Sequence, residues 1–432
     1  MKKILLFTIL PFIGFGQTQI GSDIDGEAAG DQSGRSVSLS ADGSTVAIGA
    51  YLNDGNGANS GHVRVYKNIA GTWTQIGSDI NGETAGDNSG YSISLSTDGS
   101  TVAIGAYLND GNGVNSGHVR VYKNIAGTWT QIGSDINGEA ANDNSGWSVS
   151  LSTDGSTVAI GTPNNDGNGV TSGHVRVYKN VTNVWTQIGS DINGESVGDG
   201  SGWSVSLSAD GSTVAIGAFF NDGNGTDSGH VRVYKNIADV WTQIGADIDG
   251  EAAGNRSGWS VSLSADGSTV AIGAYLNDGN GTDSGHVRVY KNIADVWTQI
   301  GDDIDGEAVG DESGYSVSLS TNGSVIAIGA LSNDENGTDS GHVRVYDLSS
   351  VLSLNSFIQS NFSVYPNPTS ERLTIDLENN LILEKVNIYN TLGQIIKTES
   401  NTTIDVSKLQ KGTYFVEVIT NQGKATKSII VN

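Results

Sequence analysis

Gly117-His118-Val119-Arg120-Val121-Tyr122 decides the fold, because the same six residues return with their histidine at His62, His174, His230, His286 and His342, in steps of 56 positions. A second landmark, Thr-Gln-Ile-Gly, keeps the same step from Thr18 through Thr74, Thr130, Thr186, Thr242 and Thr298. Self-similarity at a fixed period of this size marks a propeller, solenoid or array, in which one unit cannot bury its own apolar face and neighbours must stack.

Working outward from His118, each unit holds four strand-like runs; in the second they are Ser92–Ser96, Thr101–Ala106, His118–Tyr122 and Trp129–Ile132. Side chains alternate along them: Tyr91, Ile93 and Leu95 point one way and Ser92, Ser94 and Ser96 the other, and Val102 and Ile104 oppose Ala103 and Gly105. One face is bulky and one small, so successive units can interlock. Four strands per repeat is the content of a propeller blade. The repeat begins with an isolated fourth-strand sequence at Thr18 and ends after a third strand at Tyr346, so the fragment missing at one end is present at the other. This predicts an all-β chain with a six-bladed β-propeller over 17–348, closed by its N-terminal strand so that no sheet edge is exposed.

Before and after the repeat the composition changes. Residues 1–16 read as an export signal, with Lys2 and Lys3, an apolar run from Ile4 to Phe15, and small Gly14 and Gly16 before the expected cut. The run is too short to span a bilayer. From Asn355 onward acidic and basic side chains balance, so the net charge of −25 (22 Lys and Arg against 47 Asp and Glu) belongs to the repeat. A body this acidic repels phosphate backbones, which excludes nucleic acid as a partner. The absence of Cys removes disulfides, thiolate catalysis and Cys-bound zinc. After a linker at 349–360, short alternating runs over 361–432, such as Arg372–Leu377 and Thr413–Ile419, predict a small immunoglobulin-like β-sandwich.

The tail resembles the type A C-terminal sorting domain of the bacterial type IX secretion system. The resemblance rests on Tyr365-Pro366-Asn367-Pro368, Val386-Asn387-Ile388-Tyr389-Asn390 before Gly393-Gln394, Gly412-Thr413-Tyr414-Phe415-Val416, and Lys427-Ser428-Ile429-Ile430-Val431. It implies export through the inner membrane, then passage of the outer membrane directed by the tail, with the secretion machinery as its partner and the cell surface or medium as its destination. The units themselves resemble FG-GAP repeats of integrin-type propellers, through Gly86-Asp87, Ser89-Gly90-Tyr91-Ser92-Ile93, Thr101-Val102-Ala103-Ile104-Gly105-Ala106, Gly117 to Tyr122, and Trp129. One departure runs throughout: the family's Phe before Gly is Ser33, Ser89, Ser145, Ser201, Ser257 and Ser313 here.

Function is expected on the long Gly-rich loops. The loop entering each unit alternates acidic side chains: Asp23, Asp25, Glu27 and Asp31; Asp79, Asn81, Glu83 and Asp87; Asp303, Asp305, Glu307 and Asp311. Such spacing suits a calcium ion, which takes oxygen ligands from a flexible loop; the competing reading is a turn whose carboxylates cap local backbone. After the second strand, Tyr51, Tyr107, Phe219, Phe220 and Tyr275 stand beside acids and amides, a composition that holds sugars or peptides or packs a loop base. The six histidines occupy equivalent third-strand positions too far apart to share one ion, so they read as fold positions. Near-identical units supply copies of one group where an active site needs different groups converging. These features predict a non-catalytic extracellular module binding a glycan or protein, against the alternatives of a polysaccharide-acting enzyme or a structural surface-layer protein.

Overall fold

The computed structural model describes residues 19–353, 361–378, 381–390, 394–421 and 423–432. The expected signal at 1–16 and residues 354–360 of the expected linker lie outside the described residues.

Six β-sheets follow one another at the predicted period. In the second, Ser92–Leu95, Thr101–Ala106, His118–Ile125 and Thr128–Gln131 lie side by side and antiparallel. The third strand is longer than its apolar pattern suggests, because Ala126 and Gly127 both take left-handed backbone (φ 52° and 88°) and make a two-residue hairpin. Positive φ at both positions is the turn whose twist matches antiparallel strands. The fourth strand breaks after Gln131 and resumes as Ile136–Asn137, again pairing with the third strand (Val119↔Ile136, His118↔Asn137). The sixth sheet has three strands, Ser313–Leu319, Val325–Ala330 and His342–Asp347, where the sequence predicts a fourth supplied by the N-terminal stub. Ser349–Ser353, inside the expected linker, forms a short helix whose Val351 and Leu352 pack beside Ile300, Ile326 and Ile328.

Stacking follows the alternation. Between the second and third sheets, Ala103, Val119 and Val121 meet Val149, Leu151, Val158 and Ile160. Equivalent cores fill each of the other four junctions. The strand-turn residues also carry a backbone chain across the units: the amide of Ala41 donates to Thr97, Thr97 to Thr153, Thr153 to Ala209, Ala209 to Ala265 and Ala265 to Thr321, at 2.8–3.1 Å.

The sheets do not close into a ring, which corrects the expectation drawn from the two chain ends. Trp129 donates its indole N–H to the carbonyl of Ile76 in the preceding unit, and Trp73 donates in the same way to Ile20, both at 2.7 Å. The N-terminal stub therefore sits against the first sheet, where a preceding unit's fourth strand would be, while the sixth sheet has three strands and takes none from the stub. Both outer faces stay open. Val37 and Leu39 are 63% and 59% exposed and Val343 and Val345 are 67% and 66% exposed, whereas their inner counterparts, such as Val119 and Val121, are buried.

Gly105 reports the same asymmetry. A Cβ there would run into the carbonyl of Gly146 in the next unit, a backbone atom that cannot step aside. At the equivalent Gly329 a Cβ would meet only Ser316 of its own sheet. Gly105→Ala is expected to destabilise its junction by about 1–3 kcal/mol, the usual cost of overpacking, and Gly329→Ala by much less; paired thermal melts of the two variants check this.

The tail forms a three-stranded and a four-stranded sheet around one core that includes Phe362, Leu373, Ile375, Val386, Ile388, Val416, Val418 and Ile429.

Candidate functional site

The break in each fourth strand opens a cleft on the flank of the array. One is lined by Gly77, Ser78, Asp79, Ile80 and Asn81 from the break and by Tyr122, Gly127, Thr128 and Trp129 from the next unit, with a volume of about 280 Å³. Trp129 is held by its bond to Ile76, and the Arg120 guanidinium lies 5.5 Å from the Tyr122 ring centre. Burial pushes the Tyr122 phenol above its ordinary range, so the ring is neutral. The same cleft recurs around Tyr66 and Trp73, Tyr178 and Trp185, and Tyr234 and Trp241, with volumes of about 260, 200 and 260 Å³. Each joins two aromatic faces to a carboxylate and amide or hydroxyl groups, the mixture suited to a sugar ring.

Behind the clefts lie the histidines. His118, His174, His230 and His286 are about 1% exposed, and burial lowers their imidazoles to about 4, with the neighbouring arginine adding to the effect. They are neutral at ordinary pH. Each is faced by a glutamate from the loop before its sheet; for His118 this is Glu83, with Oε2 3.8 Å from Nδ1, while the other oxygen of Glu83 lies 3.5 Å from Arg120.

The acidic loops are thus divided among separate tasks. Asp31, Asp87 and Asp311 accept backbone amides of Ala28, Thr84 and Ala308 and the side-chain amides of Asn53, Asn109 and Asn333. Asp25, Asn81 and Asp305 offer backbone carbonyls to Arg64, Arg120 and Arg344. Glu27, Glu83 and Glu307 face His62, His118 and His342. Asp23, Asp79 and Asp303 accept from Gln19, Gln75 and Gln299. The four side chains of one loop are not brought to one point.

The second-strand aromatics are also engaged. Tyr51, Tyr107, Phe219 and Tyr275 pack against a column made by Tyr91, Trp147, Trp203, Trp259 and Tyr315, whose successive ring centres are 4.5–5.4 Å apart. Phe220 stacks on Phe219 and keeps about a third of its surface exposed. The residues that line the clefts, Tyr122 and Trp129 with their equivalents, were legible as invariant repeat positions, but only the fourth-strand break makes them a concave site.

Residues 23–66, 81–122, 137–178, 193–234 and 247–290 match the FG-GAP repeat, and residues 363–432 match the secretion-system C-terminal sorting domain. The chain is an FG-GAP repeat protein with a sorting tail. The tail assigns this FG-GAP protein to export by the type IX secretion system, to the cell surface or the extracellular space. Among the described residues no helix is long and apolar enough to cross a membrane. Over 90 residues, 19% of the chain, the FG-GAP protein is 39% identical to an ulvan lyase of Nonlabens ulvanivorans, and the match spans 17% of that relative's length. Hydrazine synthase of Kuenenia stuttgartiensis shares the fold at a TM-score of 0.50 and 13% identity, covering 78% of this chain and 83% of that one. The periplasmic gluconolactonase of Pseudomonas aeruginosa aligns at 0.48 and 16% identity, over 92% and 88% of the two chains.

Proposed function

We propose that the exported array is a non-catalytic recognition and adhesion module that holds glycans through its row of flank clefts. In this reading the six sheets are a propeller-type scaffold and the tail an immunoglobulin-like sorting module. The observation that carries it is repetition: one shallow cleft with a Tyr, a Trp, a carboxylate and a Ser recurs at the unit period. Repeated weak sites gain avidity on a polymer that presents repeated groups. The acidic surface favours neutral or amino sugars over polyanions. None of these four clefts gathers the mixed acid, base and nucleophile set that turnover needs.

Affinity electrophoresis through gels holding neutral polysaccharides tests this. The full chain is expected to be retarded, and replacing Trp73, Trp129, Trp185 and Trp241 together with Phe is expected to weaken retardation at least tenfold. Phe keeps an aromatic ring against the core while shortening the exposed face and removing the N–H. Unretarded migration of the parent chain in every neutral and amino-sugar gel overturns the glycan reading. The short likeness to an ulvan lyase supports a rival, a polysaccharide-acting enzyme; time-dependent release of unsaturated or reducing ends from a polysaccharide panel would favour it.

A further inference from the structure

Glu251, His286 and Asp303 each present one ligand atom to a common point, all within 4.8 Å of one another, and the sets around His62, His118, His174 and His230 repeat the arrangement. In every set the glutamate stands 35 residues before the histidine and the aspartate 17 after it. The glutamate therefore comes from the loop entering a sheet and the aspartate from the break in that sheet's fourth strand.

We propose that each set is a divalent transition-metal site of the zinc class, tying the loop before a sheet to the strand break after it. The geometry points to an ion because nothing among the described residues satisfies the imidazole Nδ1. His286 is about 1% exposed, and its Nδ1 has no hydrogen-bond partner among the described residues. It lies 3.9 Å from Oε2 of Glu251 and 3.7 Å from Oδ2 of Asp303. Those distances are too long for hydrogen bonds. They do fit two ligands on one ion: with each about 2.1 Å from the metal, ligand atoms stand roughly 3.4–4.2 Å apart. His118 repeats the unpartnered Nδ1, and His230 repeats the distances, at 3.9 Å from Glu195 and 3.8 Å from Asp247.

Both carboxylates are already aimed. Oε1 of Glu251 lies 3.7 Å from the Arg288 guanidinium, and Oδ1 of Asp303 accepts from Gln299 at 2.6 Å, which leaves the second oxygen of each turned to the imidazole. Outer partners that fix ligand orientation in this way are characteristic of metal centres. A neutral imidazole with two carboxylates selects a borderline ion such as Zn²⁺ over Ca²⁺, which prefers oxygen alone. Glu251 and Asp303 are 44% and 29% exposed, so water completes the shell from the solvent side. This differs from a calcium ion held inside a single acidic loop, since the ligands come from two successive loops and include the histidine.

The test is a zinc count on the full chain after removal of metals with EDTA. Equilibrium dialysis against ZnCl₂ is expected to give about five Zn²⁺ per chain and a higher melting temperature. His286→Asn and Asp303→Asn are each expected to lower the count by one; the second alters a side chain at the surface and guards against misfolding of the first. A parent chain that takes up no zinc, or variants that bind as much as the parent, would overturn the proposal. So would displacement of the zinc by millimolar Ca²⁺, because an oxygen-only site would then be holding the ion. The count is made without glycan, so its failure leaves the recognition reading standing, and the converse also holds.

Discussion

Val121→Asp is expected to melt its junction, lowering stability by more than about 4 kcal/mol, while Val345→Asp, the same change at the same repeat position, stays within about 0.5 kcal/mol of the parent. Val121 is 1% exposed and packs among Val119, Val149, Val158 and Ile160, so a carboxylate there is buried without a partner. Val345 lies on the outer face of the last sheet and is 66% exposed. Had that sheet met the first one, Val345 would lie where Val121 lies, and the two substitutions would cost alike. Urea melts of both variants, followed by tryptophan fluorescence and circular dichroism, distinguish the cases. Equal losses would mean that the sixth sheet is covered and the array closed. Because each unit contacts only its neighbours, the Val121→Asp melt should also lose cooperativity before it loses all structure.

Removing residues 363–432 is expected to abolish appearance of the protein outside the cell and to leave the repeat region folded behind the outer membrane. The matched sorting segment has its own core, in which Leu373, Val386, Ile388, Val416 and Ile429 bury one another, and the five inter-sheet cores draw nothing from it. Loss of export therefore reports loss of the address and not loss of the cargo's fold. Immunoblots of medium, surface and periplasmic fractions measure it, with protease resistance of the retained body as the control for folding. Undiminished secretion of the truncated chain would contradict the assignment of the tail.

Much of this architecture is readable in the letters. The period, the four runs per unit, and the alternation of Ile93 and Leu95 with Ser92 and Ser94 all reappear in the structure. Closure was not readable, for a physical reason. A stray fourth-strand sequence at the N-terminus fits equally well as the missing piece of the last sheet or as the remnant of a unit before the first. The sixth sheet, which stays three-stranded with Val343 and Val345 exposed, decides between them. The histidine sets were hidden differently. Comparing histidines with one another correctly separates them by whole units, but their partners are carboxylates at constant offsets of −35 and +17, and the fourth-strand break that carries the aspartate leaves no mark in apolar alternation. The clefts were missed for the same reason, since Tyr122 and Trp129 look like packing residues until the break beside them is seen.

The unfinished end faces also bear on how such a chain can change over generations. In a wheel, inserting a spoke forces every wedge angle to be recut. Here each junction is fitted only to the copy on either side, so slippage between nearly identical coding segments can lengthen or shorten the protein by whole units with every remaining junction intact. Reach, and the number of grips it carries, becomes a quantity that selection can adjust in single steps.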